Sequence, residues 1–158
     1  MTYDIEIFII ELQGLLQSDL NSKLSALDTE KNDGIILLPV DSSGYFIQTM
    51  DDAVANFDPF IYIGIDDVES VGIGPATSNK FLITVALILA DAVTDIYIWK
   101  RMMRYQRALV EVLQNKYATF SSHPCKVIIK SLVPISFRLL DSTQSSRAIG
   151  CQLEVKIA

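Results

Sequence analysis

The run Lys80–Trp99, KFLITVALILADAVTDIYIW, constrains the fold of this chain more than any other segment. A helix that crosses a bilayer needs about 20 mostly apolar residues. Phe81 to Ala90 supplies ten, and then Asp91 and Asp95 interrupt. Each Asp near a helix centre costs roughly 2.5–3.5 kcal/mol of insertion. As a strand the run is consistent. Phe81, Ile83, Val85, Leu87 and Leu89 fall on one face and are large; Leu82, Thr84, Ala86, Ile88 and Ala90 fall on the other and are smaller. Both faces are mainly apolar, as a strand covered on both sides requires. The large face is expected against a helix, and the smaller one against a loop of the same chain or another subunit.

With 158 residues the chain is long enough for one domain with a real core, and 1–158 is read as a single α+β domain. Half of it is apolar, so the surplus is expected in a membrane, a large core or a subunit interface. Net charge is −6, which disfavours non-specific binding to a phosphate backbone. That charge is unevenly spread: residues 1–95 carry 16 acids against 3 Lys/Arg, and residues 96–158 carry 3 acids against 10. A chain so divided attracts copies of itself or an oppositely charged partner, unless its halves neutralise each other within one domain. Cys125 and Cys151 match no metal-ligand or redox spacing and sit in strand-like runs, as small buried thiols do. The start, MTYDIEIFII, has acids where a secretion signal needs a basic stretch, so a reducing cytosol is expected.

Along the chain, Tyr3 to Leu27 predicts an amphipathic helix, with Ile5, Phe8, Ile9, Leu12, Leu15, Leu16, Leu20, Leu24 and Leu27 at helical spacing. Ile7 and Ile10 widen its apolar face and suggest contact on two sides. GIILLPV and YFIQTM around the turn DSSG read as a hairpin. DDAVANFDP reads as an acidic loop, FIYIGI as a strand and DDVESVGIGPATSN as a loop with room for a short strand inside it. Ile98 to Tyr117 predicts a second helix, with Ile98, Met102, Tyr105, Leu109, Val112 and Leu113 on one face. Lys100, Arg101, Arg104, Arg107, Glu111 and Gln114 lie on the other, and Arg107 and Glu111 are spaced to pair. CKVIIKSLVPISFRLL and SRAIGCQLEVKIA read as two closing strands; Pro134 in the former argues for an edge position or a bulge. The last strand alternates most cleanly, Ile149, Cys151, Leu153, Val155 and Ile157 against Gly150, Gln152, Glu154 and Lys156. The expected fold is α+β: a mixed, mainly antiparallel sheet with two main helices packed on one face.

Chemistry-bearing patterns are sparse. The only histidine, His123, has no partner at catalytic spacing and reads as a surface residue. Asp66, Asp67 and Glu69 form the densest acidic cluster. Hard cations prefer such oxygen ligands, but the spacing matches no EF-hand loop, and a solvated acidic loop is the plainer reading. GIGP (Gly72–Pro75) lacks the strand–glycine–helix context of a dinucleotide fingerprint. The basic face Lys100, Arg101, Arg104 and Arg107 suits phosphate contact, a partner contact or plain solvation. Trp99, Met102 and Met103 read as core or interface. No catalytic residue, cofactor or metal ligand is assigned; the acidic trio and the basic helix face are the candidate interface.

The order of segments resembles the tail-terminator and neck, or head–tail joining, proteins of long-tailed phages. The resemblance rests on the N-terminal amphipathic helix, the short hairpin, FLITVALILAD turning into YIWKRMMRYQRALVEVLQ, and the two closing strands. It implies a structural virion protein without catalysis or cofactor, assembled in the host cytoplasm. It further implies a ring, usually a hexamer, that caps the tail tube and docks a head-completion or neck protein, with DNA passing through the lumen unbound. The chain departs by its apolar first helix and its acidic segment Asp51–Glu69. The alternative is a small α+β adaptor that binds a partner protein, or another neck or tail-completion component.

Overall fold

The computed structural model describes residues 5–48, 57–71, 78–90, 96–115, 125–131, 135–138 and 145–157. Its elements run α1 (Ile5–Lys31), β1 (Tyr45–Ile47), β2 (Phe60–Val71), β3 (Ser78–Ala90), α2 (Ile98–Asn115), β4 (Cys125–Ser131), β5 (Ile135–Arg138) and β6 (Ser145–Ile157). One six-stranded sheet has the order β1-β2-β3-β6-β4, with β5 also alongside β6. β1 and β2 are parallel; every other pairing is antiparallel. Both helices pack on one sheet face, which makes this a mixed, mainly antiparallel α+β fold.

The central strand is the one its alternation predicts. Phe81, Ile83, Val85, Leu87 and Leu89 of β3 are buried in one cluster with Ile149, Cys151, Leu153 and Val155 of β6 and the inner faces of α1 and α2. From α1 comes the spine Leu12, Leu16, Leu20, Leu24, and from α2 come Met102, Tyr105, Leu109, Val112 and Leu113. Each buried leucine contributes roughly 1.5–3 kcal/mol. That far exceeds the 0.5–1 kcal/mol or so by which Gly14 weakens the middle of α1. Ile7 and Ile10, expected at a second contact, are exposed.

The opposite face of β3 is partly covered by its own chain. Phe60, Ala86, Ile88 and Ala148 form a second buried cluster, with Phe46, Phe57 and Tyr62 against it. Tyr62 lies across the backbone of Gly64, its hydroxyl 2.5 Å from where a Cβ would stand. Toward the other end this face turns polar and half-buried, with Thr84 and Gln152.

Three expectations need correction. GIILLPV is no strand, and the expected hairpin does not form; β1 pairs with β2 instead. In residues 35–40 Ile35, Leu37 and Val40 are buried and Ile36 and Leu38 exposed, but helix side chains take the place of a neighbouring strand. The Asp28 carboxylate accepts from Leu37 N–H at 3.1 Å, and Asn21 both accepts from Val40 N–H and donates to its carbonyl. Gln17 and Gln13 donate to the carbonyls of Ser42 and Tyr45, and the Tyr105 hydroxyl to that of Leu38. Polar residues on one side of α1 thus carry the chain back along the helix to β1. The reversal is made at Asn32 and Gly34, both at positive φ (43° and 77°), just past the end of α1.

Secondly, DDVES is no loop: β2 continues through a bulge at Asp66 to Val71, paired with β3. Thirdly, CKVIIKSLVPISFRLL is split. Ser131 pairs with Cys151 and Ile135 with Ala148, four steps against three, so this edge takes up one extra residue. Pro134 itself lies outside the described residues, as do His123, Gly72–Pro75, Asp51 and Asp52.

Gly150 sits opposite Ala86 where β6 and β3 approach most closely. A Cβ there would lie 2.0 Å from the Val85 carbonyl oxygen and 2.8 Å from Ala86 Cα, so a side chain requires the strands to part. The Gly150 carbonyl also accepts from the Gln106 amide at 2.9 Å, which ties α2 to the sheet. Gly150→Ala is therefore expected to destabilise by at least about 1–3 kcal/mol. Gly14→Ala, where nothing lies within 4 Å, is expected to stabilise by roughly 0.5–1 kcal/mol. Urea midpoints that shift in opposite directions for the two variants are the check.

Candidate partner surfaces

The four basic residues of α2 have different fates. Arg104 is buried, and its guanidinium forks onto Asp33 at 3.0 and 2.5 Å while reaching the Ile35 carbonyl at 3.3 Å. The expectation that it lies on a solvated face is thus corrected: it closes the turn after α1 onto α2. Arg107 is exposed and bridges Glu30 (2.9 and 3.0 Å) and Glu111 (2.7 Å), the second being the helical pair its spacing predicts. Lys23 adds a contact to Glu111 at 3.4 Å. These pairs run forward along α1 and backward along α2, so they hold the helices antiparallel. Lys100 and Arg101 are both half-buried.

The environments of the titrating groups follow from these pairs. Hydrogen bonds from Arg104 lower the Asp33 carboxyl to about 2. Those from Arg107 lower Glu30 and Glu111. Burial raises the Tyr45 and Tyr105 hydroxyls, and the Tyr45 group reaches about 12. Burial likewise pushes the Cys151 thiol up to about 12.

Of the acidic trio, Asp66 is held on the open face of the sheet. It accepts from the Thr84 hydroxyl and, at 3.3 Å, from the Gln152 amide. Asp67 is exposed and pairs in register with Leu82; Glu69 stands opposite Lys80. The structure therefore does not bring the acidic trio and the basic helix together. Among the described residues no three His, Cys, Asp or Glu gather to hold a metal, and no helix is long and apolar enough to cross a membrane.

What the basic pattern obscured is the apolar surface around it. Ile96, Tyr97, Trp99 and Met103 are 74, 44, 60 and 40% exposed at the beginning of α2. The Lys100 ammonium lies 5.7 Å from the ring centroids of both Tyr97 and Trp99. The signal was in the sequence: Trp99 and Met103 are four apart and fall off the Met102–Tyr105–Leu109 stripe. No protein-family model and no curated protein matches the chain.

The Asp33–Arg104 fork has a pH signature. A carboxyl lowered by folding stabilises above its unfolded value, here 3.8, and that contribution is lost as pH falls toward the folded value of about 2. Urea midpoints are expected to drop across that window. Asp33→Asn should lower the midpoint at neutral pH, because the buried Arg104 guanidinium loses its carboxylate, and should flatten the acid slope.

The cysteines give a second test. Cys125 stands opposite Ile157, six residues along β6 from Cys151, or about 20 Å. A disulfide needs Cα atoms within about 7 Å. In a Cys125→Ser variant the native protein should take up no thiol reagent at pH 8, and one equivalent once unfolded.

Proposed function

We propose that this protein is a structural subunit that assembles into a ring, of the tail-terminator or closely related neck kind. The ring, a hexamer by the resemblance, caps a tail tube and docks a head-completion or neck protein in the virion, and DNA passes through its lumen. The observation that carries this reading is the surface of Ile96, Tyr97, Trp99 and Met103 around Lys100. A folded chain gains nothing in water by exposing a tryptophan, a tyrosine and two further large apolar groups together; a partner surface does. Aromatic anchors flanked by a cation are also the groups that dominate interface energetics. The order of elements supports the same reading, with β3 entering α2 and two strand segments closing the sheet along β6.

The reading is tested by light scattering of the purified protein with and without tail tubes, and by negative-stain images of the mixture. A defined oligomer and capped tube ends are expected. A protein that stays monomeric in both conditions discards the reading. Trp99→Ala, at a 60% exposed position, should leave the unfolding midpoint nearly unchanged while weakening assembly or tube capping by tenfold or more, a loss of about 1.4 kcal/mol.

A further inference from the structure

The sheet has two lateral edges, and their register makes them complementary. On one side, β1 covers β2 only at Ile61–Ile63; from Gly64 to Val71 no described strand pairs with the outer edge of β2. On the other side, β4 ends the sheet order, so the outer edge of Cys125–Ser131 has no described strand partner either. Unpaired edges of this length are templates for pairing with another chain.

Four features relate the two edges. The first is height. β2 from Ile65 to Val71 pairs with β3 residues Ile83 to Ser78. β4 from Cys125 to Ser131 reaches β3 residues Asn79 to Val85 through β6. Both free edges thus lie at one level of the sheet. The second is length, since the two stretches are of nearly equal extent. The third is direction. β2 and β6 both run opposite to β3, and β4 runs opposite to β6, so β4 runs opposite to β2. A neighbour related by rotation about an axis along the strands would present its β4 antiparallel to this β2, the arrangement that makes the stronger ladder. Equal height means that such a contact needs no axial step, which distinguishes a closed ring from a helical filament.

The fourth feature is charge. β2 carries Asp66, Asp67 and Glu69; β4 carries Lys126 and Lys130. The rows sharpen this. At one level the register partners across the sheet are Glu69, Lys80, Lys156 and Lys126. Within the subunit Lys80 is paired with Glu154 at 3.5 Å, and the row ends on β4 at Lys126. A next copy at the same height places its Glu69 beside the lysine that ends the row.

We propose that copies of this chain join through these edges, the acidic outer edge of β2 pairing antiparallel with the basic outer edge of β4 of the next copy, so that the sheet continues from subunit to subunit. This rests on the ring reading above and names the contact that closes it. The contact is head-to-tail, so each subunit uses one edge of each kind and the ring leaves neither free.

The test uses two charge-reversed full-length chains, Asp67→Lys/Glu69→Lys and Lys126→Glu/Lys130→Glu, with oligomeric state read by light scattering. Each alone places like charges across the contact and should shift assembly to at least tenfold higher concentration. An equal mixture should assemble again, because alternating copies restore opposite charges at every junction, and so should a chain carrying all four substitutions, whose two edges are both reversed and so complementary once more. Hydrogen exchange on the wild type should show amides of Gly64–Val71 and Cys125–Ser131 gaining protection on assembly. If either variant assembles alone like the wild type, or if those amides gain no protection in the wild-type oligomer, edge pairing is overturned while the ring reading stands. A wild type that never assembles overturns both.

Discussion

Everything else in this fold depends on burying one face of β3. Its residues Phe81, Ile83, Val85, Leu87 and Leu89 meet the inner faces of both helices, and the strands on either side extend the same apolar surface through Ile61, Ile63, Ile149, Leu153 and Val155. With each large side chain contributing roughly 1.5–3 kcal/mol, this layer supplies the driving force. The ion pairs between α1 and α2 are of another order. Exposed pairs such as Arg107–Glu30 contribute about 0–1 kcal/mol each, so they orient the helices more than they stabilise them. The close approach at Gly150 lies on the other face, in register with Ala86: a Cβ there would meet the Val85 carbonyl, so the pairing of β6 with β3 at this point depends on its absence.

Those parts of the fold that bury a regular face were legible in the sequence. The large/small alternation of β3, the period-two pattern of β6 and the stripes of both helices each predict burial that the structure shows. The misread segments are those whose regularity is satisfied by something other than the expected neighbour. Residues 34–38 have the alternating burial of a strand, yet the backbone groups of Leu37, Leu38 and Val40 bond to Asp28, Tyr105 and Asn21. Hydrophobic pattern reports which residues are buried and is silent on what pairs with the backbone. A trace was present, since Gln13, Gln17, Asn21 and Asp28 line one side of the helix.

DDVES misled for the opposite reason. A strand at a sheet edge with two polar faces carries no apolar alternation, and its acids look like those of a solvated loop. Its pairing with SNKFL is set by the partner strand, which a reading of DDVES alone does not contain. Arg104 was misplaced because a helical stripe assigns charged residues to water. Whether a buried guanidinium is tolerated depends on Asp33, a residue 71 positions away that only the turn after α1 brings near.

The division of the chain into an acidic and a basic half takes its meaning from this fold. Lys23–Glu111, Arg104–Asp33, Arg107–Glu30 and Lys80–Glu154 each join one half to the other, and two of them, Arg104–Asp33 and Arg107–Glu30, set an acid of the first half against a base of the second, so part of the segregated charge is cancelled inside the subunit. Three of the four lie between the helices, on the helical side of the sheet. What they leave is a second, smaller separation along the sheet itself, with Asp67 and Glu69 toward one edge and Lys126, Lys156 and Lys130 toward the other. Charges cancelled between α1 and α2 cannot steer another molecule, because their fields close on each other within a few ångströms. Charges held apart on opposite edges by the width of the β2-β3-β6-β4 array can, since three strand spacings of roughly 4.8 Å exceed the screening length of about 8 Å at physiological salt. The same sequence asymmetry thus has two uses: the helix-borne part is spent on holding the layers together, and the strand-borne part remains available to another chain.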